Sequence, residues 1–278
     1  MIRIFLILSL GSLLVLPAAR AQNTTPAQAQ NTTPWNGRQC AVVLTYDDAI
    51  DVDLDNVVPA LDSAGLKGTF YLIGSSPAVS RRIPEWRAAA KNGHELGNHT
   101  SFHPCDGRLP GRTWIKPEND LSLYSIPRMT AEIRMTSTLL AAIDGRTERT
   151  FAYPCGDKMI GNVNYFDAVK KDFVAARGTR SALLPADSID LEDIPCYAIN
   201  GQTAGYMIGL VQQAMATHTL LVFLFHGVGG GHDMNVGLGE HSTLIHYLRQ
   251  QKENIWVPTL LDAAKYIRKK QQHLQPGH

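Results

Sequence analysis

The stretch AVVLTYDD, Ala41–Asp48, decides how the rest of this chain is read. Its first part is uncharged and rich in β-branched and aromatic side chains. A short apolar run of this kind reads as a strand buried on both faces, the situation of a parallel sheet covered by helices. Two carboxylates follow at once, at the end of the strand where α/β proteins build their sites.

The same pattern recurs along the chain. Strands are expected at Thr69–Ile73, His94–Asn98, Thr150–Tyr153, Phe173–Ala176, Leu220–Phe225 and Ile255–Val257. Helical spacing falls between them, at Val57–Ala64, Pro84–Asn92, Met129–Ile143, Val163–Lys171, Ala204–Thr217, His241–Gln251 and Leu260–Lys269. Strands alternating with helices predict a mostly parallel sheet with crossover helices. The expected fold is therefore α/β, a distorted (β/α) barrel of about seven repeats in a single domain. A doubly wound open sheet is the alternative. No G-x-G-x-x-G follows the first strand and no P-loop is present, which excludes the nucleotide-binding forms of that sheet. One long irregular segment, Pro104–Ile126, carries Trp114 and reads as a functional loop.

The N-terminal residues carry a different message. Arg3 precedes the apolar run Ile4–Leu16, and Ala19-Arg20-Ala21 supplies a small-x-small cleavage site, so residues 1–21 read as a signal peptide. The run is too short for a comfortable membrane span. Residues 22–36 repeat Asn-Thr-Thr-Pro and read as a disordered linker, which leaves 37–278 as the catalytic domain. The expected localisation is secreted, either extracellular or periplasmic, with no membrane span in the mature form. A net charge of +1 makes no electrostatic case for nucleic acid, and no protein partner is evident. Four cysteines, Cys40, Cys105, Cys155 and Cys196, permit one or two disulfides in an exported chain. Cys105 and Cys155 sit on adjacent mouth loops and suggest a pair, with Cys196 as a competing partner.

The chemistry is legible in where polar residues fall. Asp47 and Asp48 follow the first strand, His99 the third, Tyr153-Pro154-Cys155-Gly156 the fourth, Arg177 the fifth and His226 the strand LLVFLF. In a β/α barrel these positions converge on one mouth. Adjacent strand residues point to opposite faces, so the two Asp residues are expected to hold different tasks; taken alone they read more readily as turn caps. His99 and His103, four apart, could share one face of a helical turn and bind a metal with a neighbouring carboxylate. Such a set leaves coordination positions open for water and substrate. His226 precedes a glycine-rich loop, taken as mobile, and suits a general acid; a buried core histidine is the other reading. His232 and His241, close in sequence, could support His226 in that role.

These motifs, Thr45-Tyr46-Asp47-Asp48, His99-Thr100-Ser101-Phe102-His103-Pro104, Tyr153-Pro154-Cys155-Gly156 and Leu224-Phe225-His226, together resemble the polysaccharide deacetylase family, the nodulation-protein-type carbohydrate esterases of family four. The resemblance implies a divalent metal, most often zinc, held by Asp48, His99 and His103. It implies Asp47 as general base, His226 as general acid, the Cys155 backbone N–H at the oxyanion, and Tyr153 and Leu224 at the substrate. An acetylated carbohydrate is the implied substrate, with N-acetyl groups of chitin-like or peptidoglycan-type glycans first. O-acetyl groups of xylan, or a non-catalytic carbohydrate-binding role, are the alternatives. The chain departs from the family in two places. Ala152 stands where the family has an arginine that orients the catalytic Asp, and no Asp-Trp motif occurs between Ala182 and Pro195. Arg177 is the candidate to supply the missing cation.

Overall fold

In the computed structural model the described residues are 34–274. The expected signal peptide and all of the expected linker up to residue 33 lie outside them. The strands are β1 (Cys40–Asp47), β2 (Thr69–Leu72), β3 (Glu95–Asn98), β4 (Thr150–Ala152), β5 (Met159–Ile160), β6 (Val163–Asn164), β7 (Ala175–Arg177), β8 (Tyr197–Ala198), β9 (Leu220–Phe225), β10 (Gly227–Val228), β11 (Asn235–Val236) and β12 (Ile255–Trp256). The helices are α1 (Val58–Ala64), α2 (Pro77–Arg81), α3 (Ile83–Lys91), α4 (Ile126–Asp144), α5 (Ala204–Thr217), α6 (Leu238–Gln250) and α7 (Leu260–Leu274).

Every residue of β1 is buried, as a strand covered on both faces requires. It pairs in parallel with β2 on one side and β9 on the other, and its first residues also meet β12. The resulting eight-stranded sheet runs β7-β4-β3-β2-β1-β9-β8, with every named pair parallel. It curls into a half-barrel with helices outside. The gap between its edges is spanned by the chain leading into β8. Ile194 N donates to Ala176 O, Gly178 N to Ile194 O and Cys196 N to Arg180 O, each at 2.9 Å. The expected distorted barrel in a single α/β domain is thus the fold observed.

Glu95 fastens the end of the barrel opposite the mouth. Its buried carboxylate accepts from Thr69 Oγ1, Thr150 N, Thr150 Oγ1 and Leu261 N, joining β2, β3, β4 and the start of α7. Burial raises its pKa against these hydrogen bonds, and the four donors make its placement affordable in an apolar setting. Helix ends follow local chemistry. Ser125 caps α4, accepting from Arg128 N, and Gly145 ends the helix at φ 72°, a conformation that suits glycine.

Three expectations change. Val163–Lys171 forms no α-helix: β6 is followed by two 3₁₀ turns, Tyr165–Ala168 and Lys170–Asp172. Its apolar spacing is real, but Tyr165, Phe166 and Val169 spend it on a second core around Phe151 and Tyr153, and that packing overrides helical propensity. Pro104–Ile126 has structure of its own: Cys105 bridges Asp120, and 3₁₀ turns occupy Pro117–Asn119 and Leu121–Leu123. Finally, Trp35, placed in the expected linker, is fully buried. Its indole N–H donates to His218 O at 2.8 Å and its ring stacks on Tyr266, so the folded body includes it.

Candidate active site

β1 ends in Asp47, and Asp48 turns out of the strand at φ 81°. That left-handed step breaks the alternation of side chains, so the adjacent carboxylates both reach the same cavity, contrary to the simple expectation for an extended pair. Asp48 N donates to Tyr71 O at 3.1 Å, and Ser76 Oγ holds Ala49 O at 2.6 Å. A non-glycine residue at positive φ is uncommon and concentrates at functional sites. Here Asp48, Ala49, Thr100, His103 and Cys155 all adopt it.

The segment after β3 is built by side-chain capping rather than as the expected helical turn. Thr100 N donates to Asn98 Oδ1 at 2.8 Å and His103 N to Thr100 Oγ1 at 2.9 Å. Short polar side chains competing for local backbone donors favour such turns over helix. The result still brings the two imidazoles together, with ring centroids 4.7 Å apart. His99 Nδ1 lies 2.9 Å from Ala152 O. A carbonyl can only accept, so Nδ1 carries the proton and the Nε2 lone pair faces the cavity.

Asp48 divides its two oxygens. Oδ1 lies 3.6 Å from His99 Nε2 and 3.7 Å from His103 Nε2; Oδ2 lies 3.9 Å from His226 Nε2 and 3.5 Å from His232 Nε2. Burial pushes His99 down to about 3 and His103 to about 4, so both rings are neutral at ordinary pH. Asp48 Oδ1 is then a buried carboxylate oxygen with no hydrogen-bond partner, and Asp47 Oδ1 is another. Buried charge of this kind calls for a cation. The ligand atoms of Asp48, His99 and His103 lie within 4.8 Å of one another. One carboxylate and two neutral imidazoles suit zinc, so these residues fit the expected metal.

Asp47 has a different partner. Its Oδ2 accepts from Arg177 Nη2 at 2.5 Å, with both side chains buried. Burial alone would raise the carboxyl, but the Arg177 guanidinium and the neighbouring imidazoles hold it below the usual carboxylate range. Arg177 also lies over the Tyr71 ring, 5.1 Å from its centroid. The guanidinium is engaged with Asp47 from β7, while Ala152, one strand away on β4, contributes only its carbonyl.

His226 leaves β9 beside the cavity, buried, with Nδ1 unpartnered; burial lowers its pKa. Cys155 is disulfide-bonded to Cys105, which ties the turn after β4 to the segment after His103. Arg112 pairs with Asp157 across the same junction. Tyr153 borders the cavity, while its ring packs on Phe151, Tyr165 and Phe166 and its hydroxyl donates to Glu192 O at 2.8 Å. Leu224, Thr179, Ala198 and Trp114 complete the walls of a cavity of about 600 Å³. The structure therefore brings the strand-end residues singled out in the sequence to one cavity, whereas His241 packs away from it on Tyr46.

Two features of the cavity wall were secondary in the sequence or invisible there. His232 enters the cavity wall through the glycine-rich loop, which is pinned rather than mobile: Gly227 N donates to Met234 O, Gly229 N to Val236 O and Gly230 N to Asn235 Oδ1. The sequence offers His232 only as a supporting candidate close to His226, and the structure brings it to the cavity. β8, which carries Ala198, is two residues long, too short to show a period.

A curled parallel half-barrel gathers two carboxylates and several imidazoles at its strand ends, the groups that metal-assisted hydrolysis uses. The chain belongs to the polysaccharide deacetylase family, whose model matches residues 36–172. It is similar to a gellan lyase from a Bacillus species, 29% identical over 150 residues, 54% of this chain and 5% of that protein. It is also similar to a peptidoglycan-N-acetylglucosamine deacetylase from Bacillus cereus, 35% identical over 68 residues, 23% of this chain and 22% of that one. The chain thus spans well under two thirds of either relative. Among solved structures, a polysaccharide deacetylase-class protein from Mycobacterium smegmatis superposes with a TM-score of 0.61 at 14% identity, covering 87% of this chain and 94% of its own. The Xyl-CE4 domain of a multidomain xylanase from the hindgut metagenome of Trinervitermes trinervoides does so with 0.52 at 18% identity, covering 83% and 91%. At these identities both likenesses speak to the fold.

Proposed function

We propose that this chain is an exported, zinc-dependent hydrolase that removes N-acetyl groups from a chitin-like or peptidoglycan-type glycan. The observation that carries the reading is the grouping of Asp48, His99 and His103 around one buried, unpartnered carboxylate oxygen, with Asp47 and His226 on either side. The Bacillus cereus relative favours an amide substrate over an ester.

Asp48 and the two neutral imidazoles would hold the ion, which when bound polarises the acetyl carbonyl and acidifies its water. Asp47, kept ionised by Arg177, accepts the proton as water attacks. His226, directly after β9, the strand that pairs with β1, returns a proton to the leaving nitrogen. The backbone N–H of Cys155, fixed in place by the disulfide, is offered to the oxyanion. Leu224 packs against the acetyl methyl, and Tyr153 borders the substrate side of the cavity.

Acetate release by the zinc-loaded protein from chitooligosaccharides, peptidoglycan and acetylated xylan, each with and without chelator, tests this. Chelator-sensitive release from either N-acetylated glycan is expected. Release from xylan alone would replace the amide by an ester substrate, and no release from any would overturn the reading.

A further inference from the structure

We infer that His232 is a positioning residue for Asp48: its imidazole N–H holds the Asp48 Oδ2 side and so leaves Oδ1 to face His99 and His103. The inference rests on the metal-site reading above and deepens it.

Three observations lead to it. His232 Nδ1 accepts the backbone N–H of Met234 at 2.9 Å. An imidazole nitrogen that accepts carries no proton, so Nε2 does, and it lies 3.5 Å from Asp48 Oδ2. His232 therefore turns its N–H side toward the carboxylate, at a distance longer than a hydrogen bond, which a bound cation would let it close, and the same tautomer denies it the Nε2 lone pair that a metal ligand needs. Second, the ring stacks on His226 with centroids 4.8 Å apart and planes 21° apart, which fixes its orientation. Third, the loop exists to deliver it. Gly229, Gly230 and Gly231 have φ of 74°, 123° and 85°, three successive conformations that only glycine adopts cheaply. A Cβ on Gly231 would come within 2.9 Å of Val52. The loop closes through the β10–β11 pairing and Gly201 N to Asn235 O at 2.8 Å.

A carboxylate that can swing offers its oxygens in two arrangements, only one of which points Oδ1 at both imidazoles. An outer hydrogen bond that removes this freedom is worth roughly 10- to 100-fold in metal affinity.

Zinc affinity, measured by competition with a coloured chelator and without any assay of turnover, separates the outcomes. His232→Phe keeps a ring against His226 but loses the donor; a 10- to 100-fold weaker affinity is expected. His232→Gln places an amide N–H where Nε2 was and is expected to recover most of the loss. His232 is part-exposed on a loop, and equal thermal midpoints of the metal-free proteins confirm that folding is unchanged. Wild-type affinity in His232→Phe would overturn the inference, as would equal weakening in both variants, which would make His232 a ligand or a packing residue. Absence of zinc binding by the wild type would instead overturn the function proposed above, and this inference with it.

Discussion

Arg177 on β7 and Asp47 on β1 meet at 2.5 Å in the barrel interior, 130 residues apart in the chain. Neither side chain is solvated, so each neutralises a charge that would be costly alone.

Removing one partner of that pair leaves the other charge stranded. Arg177→Met is expected to destabilise the metal-free protein by about 3–5 kcal/mol in urea unfolding. Adding Asp47→Asn removes the stranded carboxylate, and the double variant should lose less than the sum of the single variants. Additive losses would show that the pair is not coupled. Arg177→Met should also lower acetate release far more than substrate affinity, since Asp47 is the group it holds.

The ligand set predicts its own signature. His103→Ala is expected to abolish stoichiometric zinc binding while leaving the metal-free fold intact, because His103 is part-exposed at the cavity edge. Zinc should raise the wild-type midpoint by the binding linkage, about 2.7 kcal/mol at a hundredfold excess over the dissociation constant, and should leave the midpoint of His103→Ala unmoved.

The disulfide is countable. Denatured, unreduced protein should titrate two thiols, Cys40 and Cys196, and four after reduction. Cys105 and Cys155 enclose a sequence separation of 50. Replacing both by serine is expected to cost roughly 2–4 kcal/mol and to depress turnover, because the Cys155 turn and the His103 segment are then tied by non-covalent contacts, Arg112 with Asp157 and Asp106 N–H to Asp157 Oδ2, in place of the covalent link.

His241 supplies a pH dependence away from the ligands. It is buried, its Nε2 lies 2.8 Å from Tyr46 Oη, and burial holds it down at about 4, against 6.5 in the unfolded chain. A lowered histidine favours the folded state above the unfolded value and loses that contribution as pH falls from 6.5 towards 4. The fall should amount to about 2 kcal/mol between pH 7 and pH 5. His241→Gln should flatten this part of the stability profile measured by urea unfolding. An unchanged profile would place the acid sensitivity in other groups.

Much of the site was readable because local rules placed it. Asp47, Asp48, His99 and His226 all stand where an apolar run stops, and a strand end in a parallel barrel is a site position whatever the rest of the chain does. Val163–Lys171 failed because its apolar residues face a second core whose partners come from Leu121, Met129 and Phe173, none visible in a nine-residue window. His99 and His103 approach each other and Asp48, but on a backbone other than the one their spacing predicts. The spacing suggested a helical turn, while Asn98 and Thr100 capped a tighter one.

By itself the sequence determined the order of strands and helices, the residues at each strand end and the positions where only glycine turns the chain. These depend on neighbours within a few residues, through hydrophobic period and backbone sterics. Tertiary structure alone decided that Arg177 rather than a residue of β4 reaches Asp47, that Cys105 takes Cys155 rather than Cys196, and that His232 comes to rest on His226. Each of these is set by how far the sheet curls and where its loops close, and ångström distances between segments tens of residues apart leave no trace in local pattern.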